Sequence, residues 1–135
     1  MRLACFVLLS CVPTLLADPA VPKAPAAREI KLTGLRLPAR PGGLTKPTKI
    51  SSEADLAKAV PDKDARAAIA KQVDFKSEYL LLFAWSGSGG DRLSFRLDKD
   101  KNEAIFASSR GRTRDLRRHV KLFAFPNKTT YRLGE

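Results

Sequence analysis

The chain is poor in the residues that most often carry chemistry. Its 135 residues include two cysteines, one histidine, one tryptophan and one methionine. Both cysteines, Cys5 and Cys11, lie among the first 17 residues. If that segment is removed, no disulfide framework, thiol nucleophile or thiolate metal site remains. Zinc takes three or four ligands from Cys, His and carboxylate, and the remainder offers His119 as its one imidazole. No metal and no cofactor is therefore expected. Acids are scarce too, with 14 Asp and Glu against 25 Lys and Arg and a formal charge of +11. The apolar run Leu3–Val12 falls short of the roughly 20 residues that cross a bilayer, and no later run is longer. No transmembrane helix is expected once the first segment is gone.

What is present begins with that segment. Met1-Arg2, the apolar run, Pro13 and small residues near Ala17 form the pattern of a secretory signal peptide over 1–17, with cleavage after Ala17 or, less favoured, Ala20. The alternative is a buried N-terminal segment of a cytosolic protein. "LLSC" at 8–11 also resembles a bacterial lipobox, in which Cys11 would carry a lipid anchor, but ten preceding residues make a short signal. Loss of Arg2 takes the charge from +11 to +10. A basic secreted or periplasmic protein meets anionic envelope polymers and acidic protein surfaces, whereas nucleic acid is less available there.

Residues 18–28, "DPAVPKAPAAR", read as an extended linker, which leaves a single domain over 29–135. "EIKLTGLRLP" (29–38) predicts a strand with a bulge or bend at Gly34, where the apolar phase switches, and "ARPGGLTKPT" (39–48) predicts a loop. Ser52 can cap a helix that carries Leu56 and Val60 on one face and stops at Pro61. Asp62 caps a second, with Ala65, Ile69 and Val73 as its stripe. "YLLLFAW" (79–85) is continuously apolar, as in a central strand covered on both faces. "DRLSFRL" (91–97) alternates, with Leu93, Phe95 and Leu97 inward. Further strands are expected at 103–109, 119–125 and 129–135. A strand, two short helices and then an antiparallel β meander make an α+β fold.

Two stretches invite a functional reading. "SGSGGD" (86–91) lacks the lysine and following helix of a phosphate-binding loop, and the first glycine of a nucleophile elbow. Its plain reading is a glycine hairpin joining strands 79–85 and 91–97. "DKDKNE" (98–103) fails the calcium-loop pattern, with Glu103 where glycine is required, and reads as a polar turn. "SSRGRTRDLRRH" (108–119) carries Arg110, Arg112, Arg114, Arg117 and Arg118. Extended, it puts Arg110, Arg112 and Arg114 on one face; capped by Thr113 into a helical turn, it clusters Arg114, Arg117 and Arg118. Planar guanidinium forks suit carboxylate or phosphate, and no aromatic is interleaved for base stacking. A solvated loop, or pairing with Asp55, Asp62 and Asp64, is the competing reading.

From Val73-Asp74-Phe75 through "YLLLFAW", "SGSGGD" and Phe125-Pro126-Asn127-Lys128, the pattern resembles small secreted bacterial proteins of unknown function. It is also similar to the C-terminal domain of a protease-complex subunit that stabilises an outer-sheath protease. That family reads T-G-G-Y in the loop, where Asp91 replaces the tyrosine, and lacks the arginine stretch. The resemblance spans residues 48–128 and implies a non-catalytic accessory or protein-binding role.

Three functions are thus expected in order. The first is a non-enzymatic binding module acting through Arg110, Arg112, Arg114, Arg117 and Arg118, with Arg92 and Arg96 alongside if strand 91–97 shows its polar face there. The second is an accessory protein acting through the loop of Trp85, Ser86, Ser88 and Asp91. The third is a small hydrolase using Ser86 or Ser88, with His119 as base and Asp91 or Asp115 as orienter.

Overall fold

The structure, a computed structural model, describes residues 26–34, 37, 44 and 46–134. The expected signal peptide, its cleavage sites, Cys11 and the linker as far as Pro25 lie outside the described residues, as do Leu35 and most of the loop 39–48. The elements in chain order are β1 (Arg28–Glu29), β2 (Thr48–Ile50), α1 (Glu53–Ala59), α2 (Lys63–Ala70), β3 (Glu78–Ser88), β4 (Arg92–Asp98), β5 (Glu103–Ser109), β6 (Leu116–Pro126) and β7 (Thr130–Leu133).

The fold is organised by β3 and β6, which pair antiparallel from Glu78↔Pro126 to Ser88↔Leu116. They form the middle of a four-stranded sheet of order β1-β6-β3-β2, and a second sheet has order β4-β5-β7. Successive residues of a strand point to opposite faces, and here both faces are apolar. Leu80, Leu82, Leu122 and Ala124 pack with Leu56, Val60, Ala65 and Ile69 of the helical segment. Tyr79, Leu81, Phe83, Trp85, Phe123 and Phe125 pack with Leu93, Ala104 and Phe106 of the second sheet. The result is three layers: helices, central sheet, outer sheet. The unbroken apolar run of β3 is what a strand in the middle layer requires.

The helix signals act as read. The Ser52 hydroxyl accepts from the Asp55 amide at 3.1 Å, and the Asp62 carboxylate accepts from the Ala65 amide at 2.7 Å. Val60 is extended ahead of Pro61, whose ring disfavours helix at the residue before it. The second helix ends at Ala70, so Val73 packs on the core from beyond it.

Several expectations are corrected. Among the described residues the strand expected over 29–38 is confined to Arg28–Glu29, with one more bond from the Ile30 amide to the Leu122 carbonyl at 2.8 Å. Thr33 and Gly34 then turn the chain, with Gly34 at φ +75, so the bend expected at Gly34 is present. Arg28, read as the end of the linker, is a strand residue paired with Glu78. β3 and β4 do not form a hairpin; the glycine loop carries the chain from one sheet to the other. Two apolar faces place β3 in the middle layer, whereas β4 buries only Leu93 and half-buries Phe95, so it lies at an edge with Leu97 43% exposed rather than inward. Nor is the β-region one antiparallel meander. β7 runs parallel to β5, because β6 between them belongs to the other sheet.

Candidate functional site

The sequence places the arginines in a loop followed by a strand at His119. Instead β6 begins at Leu116, so Arg117 and Arg118 are strand residues on opposite faces, across from Gly87 and Ser86 of β3. Arg110, Arg112 and Arg114 lie on the connection from β5, which has no helical turn at Thr113. Thr113 is used otherwise. Its hydroxyl lies 2.6 Å from the Ser88 hydroxyl, which also accepts from the Thr113 amide at 3.1 Å.

That contact is one of several that join the glycine loop to the arginine segment. The Asp91 carboxylate accepts from the Gly111 amide at 2.8 Å and from the Trp85 indole N–H at 3.3 Å. The Asp115 carboxylate accepts from the Gly89 amide at 3.1 Å and pairs with the Arg117 guanidinium. The Gly90 amide points at both hydroxyls, each 3.3 Å away. Between these bonds the backbones touch. A Cβ on Gly111 would lie 2.4 Å from the Cα of Gly90, so the glycines serve close approach and not the positive φ expected of a hairpin. The arginine stretch and the Trp85–Asp91 loop, read from sequence as competing sites, are therefore one structure.

Its floor is aromatic. Trp85, 6% exposed, stacks on His119 with ring centroids 4.8 Å apart. His119 Nε2 sits 2.8 Å from the Ser88 carbonyl oxygen. The Ser88 hydroxyl faces Thr113 and two amides, and Ser86 lies on the opposite face of the sheet from His119. Among the described residues, no contact joins the imidazole to a serine hydroxyl, which the expected hydrolase arrangement requires.

All five arginines are exposed. Among the described residues only Arg117 has an ion-pair partner, Asp115, and none pairs with Asp55, Asp62 or Asp64. The Thr113 hydroxyl, the Gly89 amide and the Arg117 guanidinium together hold the Asp115 carboxyl down at about 2. Arg92 and Arg96 are exposed on β4, with Arg92 opposite Ser109 at the start of the segment. The sequence reading missed the close-approach role of Gly111 and the 81% exposure of Leu116. A glycine set among arginines was the available signal for the first; Leu116 gave none.

Two shallow cavities are lined by described residues. One, of about 390 Å³, lies where β1 leaves β6, between Ile30, Leu32, Thr33, Val120 and Lys121. The other, of about 320 Å³, lies between the two helices. Among the described residues no cluster of His, Cys, Asp and Glu could hold a metal ion, and no helix is long and apolar enough to cross a membrane. No family model, curated protein or solved structure matches the chain.

Proposed function

We propose that the chain is a non-enzymatic binding or accessory module, secreted or periplasmic, that holds an anionic envelope polymer or acidic protein surface on its arginines. The observation that carries this reading is the contrast between the segment's backbone and its side chains. The backbone is tied down through Ser88, Asp91 and Asp115, while Arg110, Arg112, Arg114 and Arg118 make no ion pair among the described residues. A cation cluster fixed in place but left unneutralised binds anions with less ordering cost than a mobile one. Arginine offers bidentate bonds to carboxylate or phosphate, and such binding weakens with salt.

The role given to Trp85, Ser86, Ser88 and Asp91 follows: the loop presents the arginines and is not a second site. The test is binding of immobilised polyglutamate and of polyphosphate by the wild type and by a variant with glutamine at all five arginines. The wild type should bind with an affinity that falls as salt rises, and the variant should lose at least tenfold. Ser88→Ala should weaken binding without changing charge. Equal binding by the wild type and the five-glutamine variant would overturn the reading.

A further inference from the structure

The ribbon of β3 and β6 is longer than the sheet that holds it. β2 covers Leu80–Leu82 of β3, and β1 reaches β6 only from Leu122 to Ala124. The direction of each free backbone group follows from two bonds. The Asn127 amide donates to the Ser77 carbonyl at 2.9 Å, which continues the β3–β6 register and turns the odd-numbered residues of β6 toward β3. The Ile30 amide donates to the Leu122 carbonyl at 2.8 Å, which turns the even-numbered residues toward β1. In an antiparallel ladder this alternation persists along the strand. Leu116, Arg118 and Val120 therefore aim their N–H and C=O groups outward, past the end of β1, and no described residue meets them.

We propose that this edge of β6 receives an extended acidic segment of a protein partner, added as a strand beside Leu116–Val120. The proposal rests on the reading of the arginines as an anion-binding surface and names the kind of anion. Charge complementarity selects the occupant. An acidic residue opposite Arg118 meets a guanidinium that makes no ion pair among the described residues, and one opposite Arg117, on the other face, meets the outer edge of a guanidinium it shares with Asp115. An apolar residue opposite Val120 enters the cavity of about 390 Å³ bounded by Ile30, Leu32 and Val120. Backbone bonds supply affinity in such an addition, and alternate side chains supply specificity. A polyphosphate or polysaccharide has no peptide groups to offer the edge.

The probe is a synthetic seven-residue peptide on a threonine background with two adjacent glutamates, one for Arg117 and one for Arg118, and a valine two positions beyond the second, for Val120, with polyphosphate of matched charge beside it. Amide hydrogen exchange on the wild-type protein should show peptide-induced protection of Leu116, Arg118 and Val120, at least tenfold. Arg117 and His119 are already bonded to β3 and should change little. Polyphosphate should leave the even-numbered amides unprotected. Leu116→Pro removes one outward backbone N–H, at a residue whose side chain is exposed, and no charge, so it should weaken the peptide about tenfold and leave polyphosphate binding unchanged. Circular dichroism confirms its fold, and the wild-type exchange pattern stands if it does not fold. Three results would overturn the proposal: even-numbered amides already protected without peptide, peptide binding that protects none of them, or equal loss of both ligands in a folded Leu116→Pro. If the five-glutamine variant still binds both ligands, the underlying reading of the arginines fails as well.

Discussion

Gly90 and Gly111 show how little room the site leaves. A methyl on Gly111 would meet the Gly90 backbone at 2.4 Å and the Ser88 hydroxyl at 2.7 Å, and the backbone cannot yield as the far end of a flexible side chain can. Gly111→Ala should therefore cost about 2 kcal/mol, the range for overpacking, read as a lower urea midpoint at unchanged slope. Asp115 gives a second residue-scale test. Its carboxyl is held at about 2 by the Thr113 hydroxyl, the Gly89 amide and Arg117. A depressed folded value means its contribution is complete above the ordinary carboxylate range and is lost as pH falls toward about 2. The Gly89 amide resonance should move with a midpoint near 2, and Asp115→Asn should abolish that movement. Tyr79 runs the other way. Burial, then the nearby Tyr131, pushes its hydroxyl up to about 12, while it donates to the Thr129 carbonyl at 2.8 Å. The unfolded chain ionises at an ordinary value of about 10, so this contribution is lost as pH rises from there toward about 12. Tyr79→Phe should flatten the stability curve over that window in alkaline urea titrations.

Among the elements, β1 is the shortest, and its Arg28 matters more than its length suggests. Glu78 is 3% exposed and takes both of its strong bonds from Arg28, which holds its carboxyl below the usual range. Arg28→Ala should cost about 2 kcal/mol in urea unfolding, less than a fully buried pair because the guanidinium reaches water. Composition hid this. A Pro/Ala-rich stretch reads as linker to its last residue, and nothing local says that Arg28 meets an acid fifty positions on. What was legible was local. Ser52, Asp62 and Pro61 bound the helices through contacts within four residues, and the apolar run of β3 announced a strand with two covered faces. Partner choice was not legible. β3 and β4 are adjacent in sequence and joined by a glycine loop, so proximity favoured a hairpin, but only burial of both β3 faces decides between β4 and β6. The candidate site split the same way. Its arginines were plain in the sequence, whereas their union with the Trp85–Asp91 loop depends on the β3–β6 register.

For the whole molecule, the formal charge of +11 sets a background against which the five arginines must be judged. If their role is recognition, they contribute little to folding, since exposed unpaired cations repel one another. The five-glutamine variant should keep its unfolding free energy, measured in urea, to within about 0.5 kcal/mol of the wild type, or gain slightly at low salt. A large loss of stability would show that the cluster supports the fold instead. The ladder that unites the site also sets when it can exist. β3 and β6 enclose β4, β5 and the arginine segment between them in sequence, so their pairing joins strands that are far apart along the chain. Non-local pairing of this kind belongs to the slow part of folding, on the order of milliseconds to seconds. Before that step the chain carries all five arginines and no edge to set them on. Recognition of the proposed partner would thus report completed folding: a chain still open at β3 and β6 has the charge to attract an acidic segment but not the backbone to keep it.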